Sequence, residues 1–249
     1  MKEPRLRNVE KVKPPYELNK FPKDVILKIA EDIVYLLATR GEPRLEGPDW
    51  EKIFANSIGA QWTPSNIGLD DVVLGNCAWG AKTVKNTLPS KAKKVRLISG
   101  RNAPEYSFPG AAKKRTGGDP EVLGSQVLAI WNERVSSIRK RFKHARNVVL
   151  IKSNDLTELA VFEFETLRFE PEKISWQWNE RNNLEGYLDS VEHKFTWQPH
   201  GAQFTIIEDV PPNRIAFKIR KPSQVSKAGV LKEVGFNESW VKILPPRKD

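Results

Sequence analysis

Cysteine, histidine and long apolar runs are what this sequence has least of. Its one cysteine, Cys77, excludes an intrachain disulfide framework and a cysteine-built zinc site. The three histidines, His144, His193 and His200, have neither zincin nor zinc-finger spacing, which discounts a zinc site of those types. No apolar stretch approaches the roughly 18 residues that a membrane span needs. The opening MKEPRLRNVEKVKPPYELNK is charged, where a secretory signal would be apolar. These absences give the expectation of a cytoplasmic protein with no membrane partner.

Basic charge, by contrast, is in excess. Forty-one Lys and Arg face 31 Asp and Glu in 249 residues, a net charge of +10 and a pI near 9.6. Such an excess attracts polyanions through its long-range field and through counterion release. Charge alone does not choose between a nucleic-acid partner and none. A hydrophobic fraction of 39% with 29% charged residues is that of a globular chain and argues against general disorder.

Residues 1–20 are rich in Pro and Lys, and Pro14-Pro15 excludes helix there. They are expected to form an extended arm. Val25, Ile26, Ile29, Ile33, Leu36 and Leu37 recur at helical spacing until Gly41. Asp49 is the expected cap of a second helix over 50–59. Residues 69–74 and 78–85 read as strands about the turn Gly75-Asn76, and 95–99 as a third strand. Asp119-Pro120 opens a long helix to about Phe142. Strands follow at 148–151 and 159–166, then a β-rich region with strands at 174–178, 194–197, 203–207 and 215–219. The expected organisation is an arm over 1–20, an α/β core over 21–170, a β-rich layer over 171–221 and a polar tail over 222–249. Its fold class is α/β (α+β), a mixed central sheet flanked by helices.

From residue 49 to 166 the order is helix, three strands, helix, strand, strand. Its first two strands carry Gly68-Leu69-Asp70-Asp71-Val72-Val73-Leu74-Gly75-Asn76-Cys77-Ala78-Trp79-Gly80-Ala81-Lys82. This segment resembles the PD-(D/E)XK nuclease superfamily of type II restriction endonucleases, and the resemblance spans about half of the chain. It implies Mg²⁺-dependent hydrolysis of phosphodiester bonds in double-stranded DNA, by a homodimer. Asp71 matches the first motif acid, ahead of the apolar run Val72-Val73-Leu74, and Lys82 matches the motif lysine. Glu51 falls on the preceding helix where members of that family place an auxiliary acid. The chemistry suits the spacing: a hard cation takes oxygen ligands, and a Lys two residues beyond an acid shares its strand face. The implied catalytic residues are Asp71, Lys82 and Glu51, with the metal held by Asp71, Glu51 and the Ala81 carbonyl.

Gly80 departs from the motif, standing where the family has Asp or Glu. Three explanations remain open. The second acid has migrated to Glu51, Asp70 or Glu31; or one acid, a backbone carbonyl and water hold the metal; or the chain is catalytically impaired, by drift or by a Glu-to-Gly change. A second acid-x-Lys triplet, Glu192-His193-Lys194, has its upstream Asp189 too close in sequence to lie on a neighbouring strand, and reads as a polar strand edge.

For nucleic-acid contacts the candidates are Arg101, Asn102, Lys113, Lys114 and Arg115, in a Gly- and Pro-rich loop suited to gripping phosphates. Gln198, His200 and Gln203 are added as possible base readers. The tryptophans among them, Trp176, Trp178 and Trp197, fit a core role at least as well. Two alternatives stand beside the nuclease: an inactive, nuclease-like DNA-binding protein, and an RNA-binding or RNA-processing protein.

Overall fold

The computed structural model describes residues 13–64, 68–108 and 117–244. Helix α1 (Lys23–Arg40) buries Val25, Ile29, Ile33, Leu36 and Leu37 and stops at Gly41, whose φ of 76° is left-handed. Helix α2 (Gly47–Ile58) begins earlier than Asp49, because Glu46 and Asp49 form a reciprocal capping box. Asp49 is therefore the N3 residue of that box rather than the cap. Its carboxylate also takes both Nη atoms of Arg40, at 2.6 and 2.8 Å, which ties α2 to the end of α1.

The strands are β1 (Gln61–Trp62), β2 (Val72–Leu74), β3 (Cys77–Lys85), β4 (Lys94–Arg101), β5 (His144–Lys152), β6 (Glu158–Glu165), β7 (Ile174–Trp178), β8 (Leu184–Leu188), β9 (Glu192–Gln198), β10 (Gln203–Asp209) and β11 (Ile215–Lys218). The remaining helices are α3 (Pro104–Ser107), α4 (Pro120–Arg141) and α5 (Lys227–Glu233). A six-stranded sheet runs β1-β2-β3-β5-β6-β11, and a five-stranded sheet runs β4-β10-β9-β8-β7. Within the first sheet β3 and β5 are parallel, and the other pairs are antiparallel. The mixed sheet with flanking helices is thus the expected fold class.

Alternation along β3 decides the layering. Cys77, Trp79 and Ala81 face α1 and α2, where they pack with Ile29, Ile33, Trp50 and Phe54. On the opposite face Ala78 meets Val127, Trp131, Val135 and Ile138 of α4 and Phe195, Trp197 and Phe204 of the second sheet. Each large apolar side chain so buried contributes about 1.5–3 kcal/mol. Trp176 of β7 lies between two glycines: a Cβ at Gly124 of α4 would sit 2.2 Å from its ring, and one at Gly186 of β8 would sit 2.8 Å away. Gly124 costs the helix about 1 kcal/mol in propensity, and the close approach of Trp176 explains its presence.

The third strand departs from the α-β-β-β-α-β expectation. Strand β4 leaves the first sheet and pairs with β10. Its alternate residues Val95 and Leu97 pack across the face of the first sheet, against Val149, Ile151, Ala160 and Phe162. The vacated edge lets β3 and β5 pair directly over their whole length, Cys77 opposite His144 through Lys85 opposite Lys152.

The described part of the N-terminal arm is docked rather than loose. Tyr16 donates its hydroxyl to Glu163 at 2.8 Å, and Asn19 exchanges two bonds with the Glu163 backbone, at 2.9 and 2.6 Å. The tail beyond Pro222 behaves as expected of a polar extension in one respect: α5 buries no residue. Its root is held at α1, where Val225 N–H donates to Ala38 and Gln224 donates to Gly41, at 2.9 and 2.7 Å. No helix among the described residues is long and apolar enough to cross a membrane.

Candidate active site

Asp70 and Asp71 directly precede β2, and the register Val72 opposite Trp79 carries Asp71 to the position facing Gly80. Side chains on facing residues share a sheet face. Asp71 therefore points to the same side as Gly80 and Lys82, toward α4 and the second sheet. Its Oδ2 accepts the Ala81 N–H at 3.1 Å and lies 3.4 Å from the Lys82 Nζ. Lys82 also donates to the Gly68 carbonyl at 2.9 Å. Both partners are largely enclosed, with side-chain exposures of 6% for Asp71 and 17% for Lys82. An extended residue turns its N–H and C=O to the same edge, so the Ala81 carbonyl faces the end of β2, as its amide does.

Gly80 is a packing position. A Cβ there would meet Asn147 Oδ1 at 2.7 Å, the Gly68 carbonyl at 2.9 Å and Leu69 Cα at 3.3 Å. Asn147, opposite Gly80 on β5, is held in that orientation because its amide donates to Thr166 at 2.8 Å. The space that a second motif acid would fill is thus taken by two neutral oxygens and a stretch of main chain. A glutamate at position 80 has no room in this packing unless the Gly68–Leu69 segment and Asn147 shift.

Asp70 goes elsewhere. Its Oδ2 takes Arg141 of α4 at 2.9 Å, while Oδ1 is buried and has no hydrogen-bond partner among the described residues. Glu51 is not brought to the aspartates as a third acid. Its carboxylate accepts the Trp62 indole N–H at 2.9 Å, and no group of three His, Cys, Asp or Glu placed to hold a metal exists among the described residues.

A residue absent from the motif stands near this pair. Arg134 of α4 donates to Asn102 Oδ1 at 3.2 Å, and burial lowers its pKa to about 10, an effect that the charge of Asp71 opposes. The sequence does not single out Arg134, since helical periodicity does not mark a charged residue that turns inward. Asn102, expected at a nucleic-acid-binding surface, is instead fully buried. Its side chain donates to Val127 at 2.9 Å, and its carbonyl takes the Trp197 indole at 2.7 Å. Its side-chain oxygen is the acceptor for Arg134. The bulge in β4, where Arg101 pairs with Gln203 but Ile98 pairs with Thr205, turns Asn102 inward.

The other binding candidates divide. Arg101, Gln203 and Gln198 are cross-strand neighbours in one row of the second sheet, and His200 is exposed in the turn between β9 and β10. Lys113, Lys114 and Arg115 lie outside the described residues. Trp176 and Trp197 are core residues. Lys194 of the second acid-x-Lys triplet pairs with Glu208 at 2.9 Å, a polar strand contact as expected. No family model matches this chain, and neither does any curated protein or solved structure.

Proposed function

We propose that the protein is an endonuclease of the restriction-endonuclease type, hydrolysing phosphodiester bonds in double-stranded DNA with Mg²⁺. The observation that carries this reading is the Asp71–Lys82 pair. A carboxylate directly before β2 and an ammonium on β3, 3.4 Å apart, lie largely enclosed beside the peptide edge of Ala81. Lys82 orients the attacking water or stabilises the charge that builds on the phosphorane oxygens.

The donor set fits Mg²⁺ in a limited way. Asp71 and the Ala81 carbonyl would hold the ion, and Glu51, engaged with Trp62, is left out. Mg²⁺ sites commonly combine one or two carboxylates with substrate phosphate and water, so the remaining ligands come with the DNA. When bound, the ion polarises the phosphate and lowers the pKa of its water. Asp70 acts through α4: its pair with Arg141 fixes the helix that carries Arg134 against the cleft.

The row Arg101–Gln203–Gln198, with His200 beside it, supports duplex DNA as the partner. Arg pairs with guanine and Gln with adenine in the major groove, and Arg101 immediately precedes the cleft residue Asn102. Cutting both strands of a duplex symmetrically takes two copies, and we assign the protein as a homodimer on that ground. A second reading, a DNA-binding protein that does not cut, is favoured by one observation, the closed packing at Gly80. Incubating the full chain with plasmid DNA and with structured RNA, with and without Mg²⁺, tests both. Discrete Mg²⁺-dependent DNA fragments support the enzyme. Retention of DNA without cleavage supports the binding protein, and action on RNA alone sinks both.

A further inference from the structure

Arg134 is built into the cleft with more care than a helix-face cation needs. A Cβ on Gly100 would meet its Nη2, Nη1 and Cζ at 3.0, 3.1 and 3.2 Å. Three near-equal distances mean that the plane of the guanidinium lies against the bare Cα of Gly100. Gly100 has a φ of +114° and sits in the β4 bulge, so strand geometry and the missing side chain together make this seat. Asn102, saturated by Val127 and Trp197, fixes one edge of the fork. From the other side, a Cβ on Gly68 would be 3.8 Å from both the Arg134 Nη2 and the Lys82 Nζ. The two cations therefore converge on Gly68, above Asp71. Arg134 also borders a groove of about 580 Å³ with Ser107, Phe108, Ile130 and Ser137.

We propose that Lys82 and Arg134 together form a phosphate-binding site, in which the Arg134 fork takes the non-bridging oxygens of the phosphodiester beside Asp71. This rests on the nuclease reading for the identity of the phosphate, but not for the existence of the anion site. A planar guanidinium matches two phosphate oxygens at once, whereas an ammonium acts as a point charge. Placed before substrate arrives, it costs no reorganisation during reaction. In a cleft with a single motif acid, a second fixed cation carries charge stabilisation that a second metal ligand set does not provide. Gly100 and Gly68 have a common purpose here, since side chains at either position would separate the two cations or displace one.

The test uses the full chain as wild type, Arg134→Gln and Arg134→Lys, with inorganic phosphate as the first probe, titrated at constant ionic strength without metal. Phosphate is expected to bind the wild type, and Arg134→Gln to lose that binding. Arg134→Lys, which keeps the charge and drops the fork, is expected to bind at least about tenfold more weakly. The second readout is DNA cleavage, where Arg134→Gln is expected to lower the single-turnover rate by about 100-fold or more, the loss seen when one preorganised oxyanion donor is removed. Should Arg134→Gln fold poorly, by its unfolding transition, Arg134→Lys carries the test alone. Phosphate affinity and cleavage rate equal to wild type in the folded variants would overturn the proposal. The two readings fail separately. Phosphate binding through Arg134 without any DNA cleavage sinks the nuclease and keeps the anion site, and cleavage indifferent to Arg134 does the reverse.

Discussion

Asp71 Oδ2 stands between two donors of the neighbouring strand, the Ala81 amide at 3.1 Å and the Lys82 ammonium at 3.4 Å. The relationship follows from the short β2–β3 hairpin. Strand β2 ends its pairing at Val72 opposite Trp79, so the next edge positions of β3 are free to bind a side chain instead of a backbone. The consequence is a carboxylate whose Oδ2 is held by two groups of β3.

Closed packing at Gly80 makes a specific demand on variants. Gly80→Ala introduces a Cβ 2.7 Å from Asn147 Oδ1 and 2.9 Å from the Gly68 carbonyl, and is expected to lower stability by about 1–3 kcal/mol, the usual cost of overpacking. Gly80→Glu is expected to be less stable still and to add no cleavage activity. Urea denaturation with a cleavage assay on the same preparations checks both. Gain of activity in Gly80→Glu would mean that the Gly68–Leu69 segment yields easily.

Mg²⁺ binding is expected to depend on DNA. With Asp71 as the one acidic side chain assigned to the ion, calorimetric titration of the free protein should show weak binding. Adding duplex DNA to the Lys82→Ala protein, which is expected to bind without cutting, should tighten the affinity by about tenfold or more, worth about 1.4 kcal/mol. Equal affinity with and without DNA would point to a complete protein-built metal site.

Glu163 joins four elements on the helix-covered face. It takes the Tyr16 hydroxyl at 2.8 Å, the Trp79 indole at 2.7 Å and Arg146 at 3.1 Å, and is nearly solvent-free. Glu163→Gln leaves buried Arg146 with only the longer contact to the Glu165 carboxylate, at 3.6 Å. Breaking a buried pair from one side costs about 3–5 kcal/mol. Chemical denaturation reads this directly, and a loss below 1 kcal/mol (less than a typical hydrogen bond to a charged group) would show that the network adds little.

The β5–β6 turn carries an acid-sensitive contribution. Asp155 accepts from Ser153 at 2.6 Å and from the Thr157 hydroxyl at 2.8 Å, and these bonds lower its pKa to about 2. A carboxyl whose folded pKa is depressed contributes stability that is complete above its unfolded pKa and is lost as pH falls through the folded value. The stability difference between wild type and Asp155→Ala is therefore expected to be about 1 kcal/mol near neutral pH. It should shrink as the pH falls from about 4 toward about 2. Denaturation at a series of pH values reads the trend, and a constant difference would contradict the assignment.

The core elements were legible because their apolar spacing is strong. Ile29 and Ile33 mark α1, Val127, Trp131 and Val135 mark α4, and Ile174–Trp178 is the strand that alternation indicates. Strand β5 was read from Val148, although it begins at His144. Its first residues include Arg146 and Asn147, which are polar yet buried through Glu163 and Thr166, a placement that composition cannot reveal. Strand β8 was missed because Asn182, Asn183 and Gly186 resemble a turn, and only the Trp176 ring explains Gly186. The third strand was located in sequence but not in space, since alternation says which face is buried and not which sheet accepts the edge. At the site, Asp71 and Lys82 were brought together as the hairpin required. Asn102, expected at the surface, turned inward at a bulge, and Arg134 became visible only once α4 was laid against Gly100.

The central claim is tested most directly by single-turnover cleavage of duplex DNA with Asp71→Asn and Lys82→Ala beside the wild type, with DNA binding measured on the same samples. The account predicts Mg²⁺-dependent cleavage by the wild type and losses of about 100-fold or more in each variant, while both variants still bind DNA. Cleavage that survives either substitution, or a wild type that never cuts DNA with Mg²⁺, would contradict it.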